Sequence, residues 1–101
     1  MKKRTKQDFD SILLAAELDD AIIPADLHGM FVPEALREVD AVIDEAMMAG
    51  EASVRIVHGD GTGKLRAAVR AHLETHDYVE AYRAAPGSRA SGVTHAVVVR
   101  K

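Results

Sequence analysis

Two histidines and a glycine-rich turn carry most of the chemistry this chain can offer. The run Val57-His58-Gly59-Asp60-Gly61-Thr62-Gly63-Lys64-Leu65-Arg66 places three glycines at alternate positions, between a short apolar strand signal (Val54 to Val57) and a helix-like stretch (Leu65 to His72). Glycines at this density let the backbone turn sharply and expose its N–H groups. A helix that starts just after such a turn aims its partial positive charge at whatever sits there. An anion is the expected occupant, a phosphate first. Lys64 and Arg66 add charge, and an arginine can grip a phosphate with two prongs. Arg70, one helical turn on, is expected to face outward or towards the loop. An earlier segment, Ala25-Asp26-Leu27-His28-Gly29, ends an apolar stretch in a similar way. If Ala25 to His28 is a strand, Asp26 and His28 share one face, because side chains alternate. A carboxylate beside an imidazole fixes its tautomer for proton transfer.

Several other patterns drop out. A Walker A loop needs Gly where His58 stands and Ser or Thr where Leu65 stands. A dinucleotide fingerprint fails because the third glycine comes one residue early. His72 and His76 have the i, i+4 spacing of a metal pair, but Leu73-Glu74-Thr75 puts the glutamate at the wrong offset for a zincin. The pair is expected to be solvent-exposed, and no metal site is assigned. His95 is expected to be structural. Met47 and Met48 suit packing. A tight turn with no ligand remains the plain alternative for the glycine loop.

The elements that must position these residues follow from periodicity. Phe9, Ile12, Leu13 and Ala16 predict an N-terminal helix, capped by Asp8 or Asp10 and ended before Pro24. A second helix starts at Pro33 and closes at Gly50, with Leu36, Val39, Ile43, Ala46 and Met47 inward. Strands are expected over 25–28, 54–57, 78–84 and 93–100, with a loop over 86–91. The third helix turns Leu65, Ala68, Val69 and Leu73 inward. The order is β-α-β-α-β-β behind an extra N-terminal helix. It implies an α/β fold. Strands joined through helices pair in parallel with right-handed crossovers, and a final hairpin would add an antiparallel edge. Residues 1–24 form a basic tail and helix, and 25–101 form the domain proper.

The chain has 101 residues, 48% of them hydrophobic, enough for one small core. It contains no cysteine, which suits a reducing, cytoplasmic setting. No apolar run approaches the ~20 residues that cross a bilayer, so no membrane partner is expected. Net charge is −3, but unevenly spread. Residues 7–50 carry eleven acids and one base, whereas residues 51–101 carry eight bases and five acids. One end can therefore attract a polyanion despite the negative total.

Asp26-Leu27-His28-Gly29, followed by a helix and then by His58-Gly59-Asp60-Gly61-Thr62-Gly63-Lys64-Leu65-Arg66, resembles the small MutS-related (Smr) domain family. That family is marked by a D-L-H-G or D-L-R-G element and an H-G-x-G-x-G element leading into L-R. The resemblance runs from about Ala25 to Lys101 and is most similar to the C-terminal domain of MutS-like anti-recombination proteins. The late turn departs from the family's G-G-x-G, reading Arg89-Ala90-Ser91-Gly92. The resemblance implies a two-layer α/β sandwich on a four-stranded mixed sheet, nucleic-acid binding, DNA-nicking or RNA-cutting activity, and a larger parent protein or a ribosome as partner. Its characteristic residues map onto Asp26, His28 and Gly29, then His58, Gly59, Gly61, Gly63, Leu65 and Arg66.

The expected activity is that of an endonuclease. Gly59 to Gly63, with Thr62, would hold a phosphate; Lys64, Arg66 and Arg70 would add charge; His28 and His58 would move protons with Asp26 orienting an imidazole. On RNA the 2′-hydroxyl can attack without a metal. On DNA a water must attack, and Mg²⁺ or Mn²⁺ held partly by Asp26 becomes attractive. Replacing His58 with Ala is expected to abolish cleavage while largely sparing the fold. The alternatives are a non-catalytic nucleic-acid-binding module and a small-molecule phosphate or nucleotide binder. Four aromatics, Phe9, Phe31, Tyr78 and Tyr82, form no base-stacking stripe, so backbone or shape recognition is favoured.

Overall fold

The computed structural model describes residues 5–18, 23–85 and 92–99. The expected loop over 86–91 and the basic residues before Thr5 lie outside the described residues.

Helix α1 (Lys6–Leu18) begins with a reciprocal cap. The Asp8 Oδ2 accepts the Thr5 N–H at 2.8 Å, and the Thr5 Oγ1 accepts the Asp8 N–H at 3.2 Å. Thr5 is thus the cap and Asp8 its answering residue. Asp10 does not cap, and reaches Arg83 on the surface instead.

Strand β1 (Ile23–Asp26) starts and ends two residues earlier than expected. The Asp26 side chain is the reason for the early end. Its Oδ1 accepts the His28 backbone N–H at 3.0 Å, which turns the chain out of the strand. Met30 N–H then bonds to the Leu27 carbonyl at 2.9 Å, with Gly29 at φ 79°. His28 therefore stands in a turn, not beside Asp26 on a strand face.

Helix α2 (Val32–Ala49) has Pro33 in its first turn and closes on Gly50 in the left-handed region, as the sequence requires. Strand β2 (Ser53–Val57), helix α3 (Lys64–Thr75), strand β3 (Val79–Ala84) and strand β4 (Val93–Val98) follow. The sheet order is β1-β2-β4-β3. β1 and β2 are parallel, while β4 runs antiparallel to both β2 and β3. The final hairpin forms, but β4 is not the edge. All six of its residues are buried, so it takes an interior position, and the more polar, half-exposed β3 is left outside.

Helices α2 and α3 cover one face of the sheet. Val39, Ile43, Val69 and Leu73 pack there on Val54, Ile56, Ala96 and Val98. Each fully buried Leu, Ile or Val contributes about 1.5–3 kcal/mol. Helix α1 lies against β2 and β4 from the other face, where Leu13 is buried and Asp10 meets Arg83.

Candidate nucleic-acid interface and active site

The glycine loop leaves the end of β2 and is stapled to β4. The Gly92 carbonyl accepts the backbone N–H groups of both His58 and Gly59, each at 3.0 Å. The fit at 92 is close: a Cβ there would stand 3.1 Å from the Asp60 Oδ1, which would have to give by a few tenths of an ångström. Gly59 turns at φ 83° and Gly63 at φ 84°, a region that disfavours any L side chain. Gly63 is also the N-cap of α3 and contributes no side-chain cap bond. The first turn of α3 thus forms one wall of a cavity of about 240 Å³, continuous with His58, Gly59, Gly61 and Thr62. Met30, Phe31 and Val32, at the start of α2, also line it. Lys64 and Arg66 line the loop side, and the Arg66 guanidinium folds back over Gly63.

His58 lies under this loop and is 4% exposed. Its Nδ1 is 3.2 Å from the Gly59 carbonyl, which can only accept, so Nδ1 carries the proton. Its Nε2, 2.9 Å away, then accepts the Thr94 hydroxyl proton, and Thr94 Oγ1 in turn accepts the Arg70 Nε–H at 3.3 Å. Burial pushes the His58 pKa below its ordinary value. The hydrogen bond to Gly59 opposes this, and the Arg70 and Arg66 charges reinforce it. The ring is therefore a neutral imidazole with both nitrogens engaged inside the protein.

His28 differs. It is exposed, and its ring edge lies on the loop: a Cβ on Gly59 would be 3.4 Å from the His28 Cδ2. The structure thus brings His28 to the glycine loop, together with His58, Gly59, Gly61, Thr62, Gly63, Lys64 and Arg66. Asp26 and Gly29 shape the turn that carries His28, and the bond from Asp26 goes to the His28 backbone, not to an imidazole. Arg70 sits behind the loop, half-buried on Thr94, with its Nη2 buried and unpartnered, and does not line the cavity.

Sequence reasoning missed Thr94, Gly92 as a staple, and Phe31. Thr94 had one signal: a hydroxyl on the same face as Ala96 and Val98 must find a partner. His72 and His76 also depart from expectation. Neither is simply solvated, because both bond to the Asp40 carboxylate of α2.

No helix among the described residues is long and apolar enough to cross a membrane. The family model for the Smr domain matches residues 25–100. Over 70 residues the chain is 49% identical to the endonuclease MutS2 of Symbiobacterium thermophilum, covering 68% of this chain and 9% of that protein. It is 46% identical over 70 residues to the endonuclease MutS2 of Thermus thermophilus, with the same coverage. The chain therefore spans about a tenth of the length of these relatives. The crystal structure of the Smr domain of Thermus thermophilus MutS2 superposes with a TM-score of 0.73 at 39% identity, covering 77% of this chain and 99% of that one. YdaL, a stand-alone small MutS-related protein of Escherichia coli, gives a TM-score of 0.77 at 26% identity, covering 99% and 80%. The strand-end histidine turn, the glycine loop and the mixed sheet all coincide with a family match over three quarters of the sequence, and the chain belongs to the Smr domain family.

Proposed function

We propose that the chain is a nucleic-acid-binding phosphodiesterase that nicks DNA or cuts RNA. The observation that carries this reading is the His28 imidazole resting on Gly59, at the loop whose far side presents Lys64 and Arg66. The relatives named endonuclease MutS2 support the reaction class.

In this reading the loop and the first turn of α3 receive a phosphate through backbone N–H groups. Lys64 and Arg66 neutralise charge that builds on its non-bridging oxygens. His28 is the proton-transfer group, being exposed and outside the internal hydrogen-bond chain. His58 holds the loop. On RNA, His28 takes the proton of the 2′-hydroxyl as that oxygen bonds to phosphorus; the P–O5′ bond breaks, and the leaving 5′-oxygen takes a proton from water. On DNA, a water takes the place of the 2′-hydroxyl. A Mg²⁺ or Mn²⁺ ion would supply Lewis acidity there, with Asp26 as its carboxylate. One Asp26 oxygen already holds the His28 N–H, so substrate oxygens and water would complete the coordination. Phe31, which lines the same cavity and is 83% exposed, offers a flat apolar surface to an unpaired base.

A second reading is a binding module without chemistry, placed within a larger parent protein or on a ribosome. The commitment of both His58 nitrogens within the protein favours it, because only one imidazole then remains for proton transfer.

Incubating supercoiled plasmid and a structured RNA with the wild-type chain and with His28→Ala, in EDTA, Mg²⁺ or Mn²⁺, separates the two. Product from wild type that disappears in the variant supports the nuclease. Salt-dependent binding with no product under any metal condition supports the module.

A further inference from the structure

The far end of α3 holds a second cluster of ligating groups. His72, in its last turn, places Nε2 2.7 Å from the Asp40 Oδ1; His76, its C-cap, places Nε2 3.0 Å from the same oxygen. All three candidate ligand atoms lie within 4.8 Å of one another. We propose that Asp40, His72 and His76 form a binding site for a zinc-like divalent transition-metal ion that ties α2 to α3.

The chemistry of the set argues for the ion class. Two imidazoles and one carboxylate suit Zn²⁺, Ni²⁺, Co²⁺ or Cu²⁺, whereas Mg²⁺ prefers an all-oxygen shell. Three protein ligands leave a fourth position for water. Bonds of about 2.0–2.1 Å in a tetrahedral site put ligand atoms about 3.3 Å apart. The atoms at 2.7 and 3.0 Å need to open by about 0.6 and 0.3 Å to reach that spacing. Access exists on one side: the Asp40 side chain is 48% exposed, while that of His76 is 12% exposed. The position also favours a cation, because the carbonyl end of α3 carries the negative pole of the helix. His76 lies about 18 Å along the helix from Lys64, so the ion would act on helix packing and not at the glycine loop.

Proton positions give the site a signature. Without metal, each Nε2–H donates to Asp40 and the Nδ1 of His76 accepts the Tyr78 N–H at 3.0 Å. An ion takes the two Nε2 lone pairs, and each ring then carries its proton on Nδ1. The Tyr78 N–H must therefore leave His76 and turn to solvent. Binding thus reports at three residues that lie far from the glycine loop.

The test is calorimetric titration of the full chain with Zn²⁺, beside Asp40→Asn and His72→Ala, with thermal melting of each. One ion per chain is expected, with a raised Tm in wild type and at least tenfold weaker binding in both variants. Nitrogen NMR of the wild-type histidine rings covers the case in which a variant fails to fold. Zn²⁺ should shift Nε2 of His72 and His76, move their protons to Nδ1, and displace the Tyr78 amide signal. Absence of saturable binding, equal affinity in the folded variants, or shifts confined to His28 would overturn the proposal.

Discussion

The His58 Nε2 accepts a hydrogen bond from the Thr94 hydroxyl at 2.9 Å, joining the root of the glycine loop to the central strand β4 across 36 residues of chain. Both side chains are buried, and Arg70 donates to the same hydroxyl. Loop geometry is therefore fixed from beneath by a side chain that also looks, in the sequence, like a catalytic base.

Thr94→Val keeps the shape and removes the hydroxyl. It strands a buried acceptor on His58 and the Nε–H donor of Arg70, which costs about 1–3 kcal/mol. Chemical denaturation should show that loss, and Thr94→Ser should recover most of it. The same variant should weaken nucleic-acid binding, because the loop loses its anchor. A Thr94→Val chain as stable as wild type would mean that His58 is held by Gly59 alone.

Burial lowers the His58 pKa, and this sets the sign of a pH dependence. The unfolded chain takes up the proton near the ordinary value of 6.5, and the folded chain resists it to lower pH. Between those two values the unfolded state binds more protons, so stability rises with pH through the window. Thermal melting from about pH 7 towards pH 5 should show Tm falling. His58→Gln, with no proton to take up, should melt lower at neutral pH but with a flatter profile. His58→Ala, which removes a buried ring with two hydrogen bonds, should also lower stability.

The two loop glycines Gly61 and Gly63 should respond differently. Gly63→Ala puts a side chain at φ 84° and drives its Cβ to 2.8 Å from the Arg66 Nη2. The left-handed backbone costs about 1–2 kcal/mol, and Arg66 must swing away. Gly61 has no positive φ, and nothing lies within 4 Å of an added Cβ. Fluorescence anisotropy with a labelled oligonucleotide should show weaker binding for Gly63→Ala and near-wild-type binding for Gly61→Ala.

The elements were legible wherever local chemistry decides them. Pro33 and Gly50 bound α2, and the alternation of glycines marks the turn into α3. What local patterns do not carry is the order in which strands lie. β4 enters between β2 and β3 because all six of its residues, Thr94 and His95 included, are buried, a choice made by packing across the whole sheet. The same limit applies to the site. The sequence brings His28 and His58 forward as equals, yet one is exposed on the loop and the other is sealed beneath it by Thr94. Asp40 is some thirty residues from His72 and His76 in sequence, so only packing of α2 on α3 shows the three together. Asp26 looked like an imidazole's partner at i, i+2, but short acids at turns more readily capture a backbone N–H.

Phe31 tests what the cavity receives. It is 83% exposed at the N-cap of α2 and lines the same cavity as the glycine loop and the two cations in the first turn of α3. An exposed aromatic of this size, beside an anion-binding loop, can stack a base whose phosphate the loop holds. Stacking is worth about 1–3 kcal/mol per base. Phe31→Ala should therefore weaken binding to a single-stranded or looped oligonucleotide by about ten- to a hundredfold and leave a continuous duplex little changed. Its Tm should not move, since the ring buries little surface in the folded chain. Lys64→Ala makes the complementary comparison: it should weaken both forms alike and reduce the salt dependence of binding by about one unit of slope. Equal losses on single-stranded and duplex probes for Phe31→Ala would show that the apolar wall reads no base and that the loop binds backbone alone.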